Sequence, residues 1–475
     1  MRNNFSRYLT DLFENLEPKD NLIGLKSAKS LSAAAPAVAT DLIPEEFSGK
    51  DFLSYLLSVD AELEHGLMVQ YLYAAYSLGG SHIPEKYREK VRRWQEIILG
   101  IAKEEMGHFI SIQNVLRLIG APLHFDRDDY LWNCVLYPFP FKFEPLTIKS
   151  LAKYVYAESP KGWIDSDDPA AKEIKAIIQE EGHGDRVGML FEAILKIVDD
   201  PLAVPDTVFQ APTYPYQAKF DEWGRGYAGG NRGNTTNGNP KGAPDVLVLP
   251  LASRDDARNA LQEVAEQGEA RTEADSGGLP SHFDRFLMVY KELSEVTKEM
   301  PEGWQASRNM AVNPYTDGSR SSDEDGDLIE NREAVLWANL VDARYRLLLA
   351  FVRHSFLLDD GFNQEVVSSP RGTIVNSAFG EMYNIRSITN VLVKTPIKNG
   401  SDKMAGPPFS IPYSLDLPMG EHNRWRQHQD VIIGSQKLVK NLLEITSPEN
   451  HNYLRSLHDS DERLLAIIRK LTDPV

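Results

Sequence analysis

Glu64 stands on a helical stripe of apolar residues, with Leu57, Ala61, Met68, Tyr71 and Ala75 sharing its face at spacings of three and four. A carboxylate turned into a helix interface is costly unless a cation compensates it. The conflict recurs downstream, where Glu105 and His108 lie one turn apart on a face with Ile98, Ile101, Ile112 and Ile119, so that a carboxylate and an imidazole point inward together. A second Glu-x-x-His, Glu180 with His183, falls on the stripe Ala176, Val187, Leu190 and Ile194. Four packed helices that supply one Glu from each of two and a Glu-x-x-His from each of the others hold two iron or manganese ions. One such pair is close to chance in a helical chain of this size; three inward-facing polar sites on successive helices are not. Each residue alone has a plainer reading, Glu64 paired with an arginine or His108 bonded to a carbonyl. The carboxylates of the two long helices sit at matching levels relative to their shared turn, which favours a shared metal.

The elements that must position these residues read as helices throughout. Apolar periodicity predicts a helix over 51–78 and a second over 84–119, the latter stopped by Gly120 and Pro122. After an aromatic and proline-rich stretch come a short helix over 147–158 and a longer one over 169–198, ended by Pro201 and Pro205. Further helices are predicted over 252–271, 280–300, 331–358, 374–393, 421–444 and 449–471. Little reads as strand and no fixed-period repeat is visible, so the fold class is all-α. The expected organisation is an N-terminal arm over 1–50, a metal-binding bundle over 51–300, a polar linker over 301–330 and a C-terminal helical region over 331–475. The bundle carries a long insertion, 201–246, rich in Gly, Pro and Asn. Loops of that length inside a domain are often lids, and this one is expected to cover the mouth of the metal cavity, its Tyr214, Tyr216, Phe220, Trp223 and Tyr227 either lining an aromatic substrate pocket or packing the loop onto the outer helices.

Composition removes several functions. The chain has 475 residues, 42% hydrophobic and 25% charged, enough to bury a core. Its 69 acidic residues against 51 basic ones give a net charge of −18, which repels phosphate backbones and anionic lipid, so neither nucleic acid nor a membrane surface is an expected partner. The single cysteine, Cys134, excludes an internal disulfide framework, a cysteine-based zinc site and a cysteine-held iron–sulfur cluster, and a cytoplasmic home is the simplest expectation. The N-terminus lacks the pattern of a secretory signal. The richest apolar run, SAAAPAVAT, is short and broken by Pro36, far from the roughly 20 apolar residues that span a bilayer. No GxGxxG lies between a strand and a helix, and neither a Walker loop nor GxSxG occurs, so no organic cofactor site is expected.

The strings LEHGLMVQYLYAAYSL, AKEEMGHFISIQNVLRLIGAP, VGMLFEAI, ALQEVAEQGEA, SHFDRFL and the later AGPPFSIPYSLDLP occur in that order. Together they resemble the ferritin-like family that includes the iminophenyl-pyruvate dimer synthases of violacein-type pigment pathways. The resemblance runs in patches from about 51 to 445 and implies a ferritin-like four-helix bundle with an inserted loop and a C-terminal helical extension. It implies metal ligands at Glu64, Glu105 and His108, which the helical faces also single out, and adds Glu269 and His282. Glu269 is spaced by four from Ala265 and Leu261, and His282 shares a face with Phe286, Val289 and Leu293. In one place the chain departs from the family, whose members carry a Glu where VGMLF has Met189, and a thioether is a poor ligand for hard iron sites. Glu180 with His183, or Glu192, or Asp185 supplies the missing ligand, or the second metal is weakly held.

The resulting expectation is a non-haem diiron oxidase or oxygenase, with two iron ions (manganese as the alternative), dioxygen, and a small amino-acid-derived or aromatic substrate of secondary metabolism. A homo-oligomer is compatible with the sequence. Two other classes compete: an iron-binding or sensing bundle without turnover, which would not need the long loop or the C-terminal extension, and a structural helical interaction protein, which would not bury carboxylates.

Overall fold

The computed structural model describes residues 8, 9, 12, 39–127, 141–160, 162–181, 188–210, 212–223, 248, 250–269, 280–317, 326–359 and 369–472. Among these residues eleven α-helices of ten residues or more form: α1 Gly49–Ser77, α2 Glu85–Leu118, α3 Ile148–Ala157, α4 Pro169–Glu181, α5 Gly188–Asp199, α6 Arg254–Glu269, α7 His282–Glu299, α8 Arg332–Ser355, α9 Pro370–Leu392, α10 Glu421–Ile445 and α11 His451–Thr472. No strand occurs among them, only isolated bridges such as Leu78 with Ser307 and Met310 with Met404. The expected all-α class holds.

Local chemistry sets several boundaries. Ser48 caps α1 by accepting the Asp51 amide at 3.2 Å, and Thr147 and Ser150 form a reciprocal capping box at the start of α3. Ser281 accepts the Asp284 amide at 3.1 Å, which makes His282 the first residue of α7. Gly120, at φ 67°, supplies the left-handed turn that ends α2.

Helices α1 and α2 pack along their length, and α6 and α7 close on α2, with α3 against α7 and α5 between α6 and α1. A second group follows, α8 with α9 and α10, and α10 with α11. The two groups meet on α1, where every residue from Val59 to Tyr71 is buried. On the far side His65 is hydrogen-bonded to the Tyr345 hydroxyl of α8.

Of the helix expected over 169–198, Pro169–Glu181 form α4 and Gly188–Asp199 form α5, with 182–187 outside the described residues; the expected stripe of its first part needs correcting. The buried face of α4 is Ala171, Ile174 and Ile178, while Ala176 and Glu180 face solvent, because the branched side chains take the interface and leave the smaller and charged residues outside. The stretch 301–317, read as a linker from its polar composition, packs against α1 and the 141–147 segment: Ala306, Met310 and Ala311 are buried, Gly79 donates to the Ala306 carbonyl at 2.9 Å and Asn313 to that of Phe143 at 2.8 Å.

Candidate metal centre

Six elements bring side chains to one buried point. Glu64 comes from α1, Glu105 and His108 from α2, Glu158 from the C-cap of α3, Phe191 from α5, Gly268 from α6 and His282 from the first turn of α7. The cavity they line has a volume of about 10 Å³, room for a water-sized body but not for an organic molecule. Of the five carboxylate and imidazole residues expected here, Glu64, Glu105, His108 and His282 are no more than 2% exposed.

Glu105 lies between the two imidazoles. Its Oε2 is 2.9 Å from His108 Nδ1 and its Oε1 2.9 Å from His282 Nδ1. The imidazoles lie 5.3 Å apart, near parallel at 25°. Glu64 Oε2 stands 3.4 Å from His108 Nδ1, and Glu158 Oε2 stands 3.9 Å from His282 Nδ1.

The outer nitrogen of each ring is tied down. His108 Nε2 is 2.8 Å from Gln267 Oε1 and His282 Nε2 is 2.9 Å from Glu104 Oε2. Both oxygens only accept, so each Nε2 carries a proton and each Nδ1 turns to the cavity, the arrangement that orients metal-binding histidines. Glu104 is itself held by Arg285 through both of its oxygens, one at 3.2 Å from Nη1.

The electrostatics follow from burying more carboxylates than cations. Burial, and then the charge of Glu105, push the Glu64 carboxyl well above the usual range. The same two causes, in the same order, raise Glu158 to about 7. Burial works against charging His108, yet Glu64 and Glu105 raise it well above the ordinary imidazole value; His282 is raised likewise, chiefly by Glu105 and Glu104. Glu105, despite its burial, is brought well below the carboxylate range by His282 and His108.

The donor set suits a cation. Glu64 Oε2, Glu105 Oε1 and His282 Nδ1 are buried without a geometrically regular hydrogen bond, Glu105 Oε1 and His282 Nδ1 lying 2.9 Å apart. Buried polar atoms left in this way call for an ion or ligand. Donor atoms from Glu105, His108 and His282 lie within 4.8 Å of one another. Carboxylate with imidazole is a set that iron, manganese or zinc takes and that calcium and magnesium do not favour.

The sequence profile of the ferritin-like family matches residues 57–291, a span that holds every one of these donors. This segment belongs to the ferritin-like family. Over 376 residues the chain is 25% identical to dichlorochromopyrrolate synthase of Lentzea aerocolonigenes, an alignment covering 74% of this chain and 35% of that protein. The chain thus spans about a third of the length of this relative. No solved structure matches it.

Within the ferritin-like segment the remaining expected residues part company. Glu180 does not join the cavity: its side chain is 71% exposed and 3.8 Å from Lys149 at the surface. His183 and Asp185 lie outside the described residues, as do the side chains of Met189 and Glu269, the latter the last residue of α6. Glu192 pairs with Lys196 at 3.1 Å. The expected lid is not formed by the part of the insertion that is described. Ala218 exchanges two hydrogen bonds with Asn114, Glu222 is forked by Arg371 of α9 at 2.6 and 2.9 Å, and Trp223 stacks near Phe379 at 5.5 Å, so this part is clamped to α2 and α9 and contributes nothing to the cavity lining. Tyr227 and the side chain of Phe220 lie outside the described residues.

Sequence reasoning missed Glu104, Glu158, Gln267 and Arg285. Glu104 adjoins Glu105 and Arg285 follows His282 by one turn, so both could have been found by asking what orients each imidazole. Glu158 offers no such clue.

Among the described residues no helix is long and apolar enough to cross a membrane.

Proposed function

We propose that the chain is a non-haem iron oxidase or oxygenase of secondary metabolism, acting in the cytoplasm on a small amino-acid-derived or aromatic molecule, with two iron ions at the Glu64, Glu105, His108 and His282 site. Residues 51–300 carry the metal and 331–475 brace it; Glu269 joins the ligands, as the family resemblance implies. The observation that carries the reading is the convergence of two Nδ1 atoms and three carboxylates on one buried cavity, with partnerless donor atoms inside it. The relationship to a named biosynthetic enzyme, dichlorochromopyrrolate synthase, supports the substrate class.

Iron bound here would supply electrons to dioxygen, with no organic cofactor needed. The chain's own residues do the rest. Gln267 and Glu104 hold the protons on the outer ring nitrogens, so that each imidazole would offer Nδ1 in a fixed direction to a metal that displaces its inner proton. His282 and then Arg285 keep Glu104 charged, and Arg285 holds it in place. The Tyr71 hydroxyl places a proton on the Glu158 side of the cavity, donating to Oε1 at 2.5 Å. Leu67, Phe191 and Val264 keep bulk water out.

The test is anaerobic loading with ferrous iron, metal analysis of the desalted protein, and oxygen uptake with amino-acid-derived imines and aromatic acids. Iron-dependent and substrate-dependent uptake is expected. Iron binding with no such uptake would leave an iron-binding bundle, and no bound iron would sink the reading.

A further inference from the structure

The cavity has two halves related through Glu105. On one side Glu64 Oε2 and Glu105 Oε2 face His108 Nδ1 at 3.4 and 2.9 Å; on the other Glu158 Oε2 and Glu105 Oε1 face His282 Nδ1 at 3.9 and 2.9 Å. Each half has one imidazole, one carboxylate of its own and one oxygen of the shared carboxylate. From this we infer that Glu158 is a metal ligand, the terminal carboxylate of the His282 half as Glu64 is of the His108 half, and that it fills the role left open by Met189. The inference rests on the proposal that the site binds metal, and adds a residue to it.

Two further observations point the same way. Glu158 is 3% exposed, and only Oε1 receives the Tyr71 hydroxyl, so the carboxylate is braced from behind and presents Oε2 to His282. Opposite it stands Gly268, where a Cβ would lie 3.1 Å from Glu158 Oε2, tighter than nearly all real contacts. Gly268 is the penultimate residue of α6, in its last turn. The backbone of α6 therefore gives up a side chain at the one place where it would press on this oxygen.

The experiment is anaerobic titration with ferrous ion alone, counting ions per chain and measuring each affinity, with Mössbauer spectra to detect coupling through a shared carboxylate. The wild-type chain is expected to bind two ions. Glu158→Gln keeps the shape and can still accept from Tyr71; it is expected to bind one ion and lose the coupled spectrum. Gly268→Ala, whose methyl group displaces Oε2 without touching a ligand's chemistry, is expected to weaken the second ion at least 10-fold and leave the first unchanged. Circular dichroism checks that both variants are folded. Two ions held with unchanged affinity in both variants would overturn the assignment of Glu158 and leave the metal site standing, as would a wild-type chain that binds a single ion with the same affinity in Glu158→Gln. A wild-type chain that binds none would remove the metal site itself.

Discussion

In the C-terminal helices the buried Arg344 reaches both oxygens of Asp461, at 2.8 and 2.6 Å, and Glu381 at 3.3 Å, so that a cation on α8 is answered by carboxylates from α11 and α9. Nearby, His354 Nδ1 lies 2.8 Å from His428 Nε2, and His354 Nε2 the same distance from Glu421. In the ferritin-like segment the four carboxylates Glu64, Glu104, Glu105 and Glu158 meet one arginine and two imidazoles, and the partnerless atoms of this group, Glu64 Oε2, Glu105 Oε1 and His282 Nδ1, face one cavity. Both regions bury charge at helix interfaces. The C-terminal charges pair with one another and hold helices together, leaving single orphaned atoms, Arg344 Nε and His428 Nδ1, in separate clusters; those of the candidate metal centre leave several at one shared point. Convergence of unmatched donors, rather than burial of charge as such, separates a site from a structural network.

The strongest way to break this comparison is Glu105→Ala. It is expected to abolish iron binding and turnover while the helical fold persists, with a fall in melting temperature smaller than that of Arg344→Ala because the two imidazoles left without their carboxylate can discharge. Metal analysis and a thermal melt read the two effects separately, and a variant that keeps its iron would return Glu105 to the structural class. Arg344→Ala should do the reverse. It strands Asp461 and Glu381 in the core at a cost of about 3–5 kcal/mol, seen in denaturant titration, with iron content per folded chain unchanged. Met68→Ala, on the Glu64 stripe and 4% exposed, is expected to cost about 2–5 kcal/mol through lost packing, and the same titration checks it. Glu104→Gln, which loosens the hold on His282, is expected to weaken iron binding about 10–100-fold, measured by chelator competition.

The smallest effect is in pH. Burial, and then the charge of His354, hold the His428 imidazole well below its ordinary value. Its contribution is complete above the unfolded value of about 6.5 and is lost as the pH falls below it, at about 1.4 kcal/mol per unit. His108 and His282 are raised instead, so their contribution is complete below about 6.5 and is lost as the pH rises through their folded values. Hydrogen exchange from pH 7 to 5 should therefore show α10 losing protection while α2 does not, and equal losses in both would contradict the contrast.

Glu64, Glu105 and His108 were legible because a polar residue on an apolar stripe stands out against a period of 3.6, and the all-α class because that period runs the length of the chain. His282 needed the family resemblance, since the first residue of a helix has no preceding turn to define its face. Glu158 was invisible for a related reason: at the C-cap of a short helix a glutamate looks like any solvated end. Glu180 misled because spacing by four defines a face but not its direction, and Ile174 and Ile178 define the opposite one more strongly. Asp60, buried with both carboxylate oxygens unpartnered, and His65 escape amphipathic reasoning because α1 has no outer face between Val59 and Tyr71 to contrast them with.

That unbroken burial of α1 bears on how this chain can be divided. The family match ends at 291, but the helix that carries Glu64 also presents His65 to Tyr345 and Tyr73 to the Ala311 carbonyl, and Gly406 leaves the room Tyr73 occupies. A protein cut after the match would expose one wall of its own central helix to water. The boundary drawn by kinship is therefore not a boundary of folding, and whatever tunes the metal centre can be inherited only together with the hundred and more residues that lean on its back.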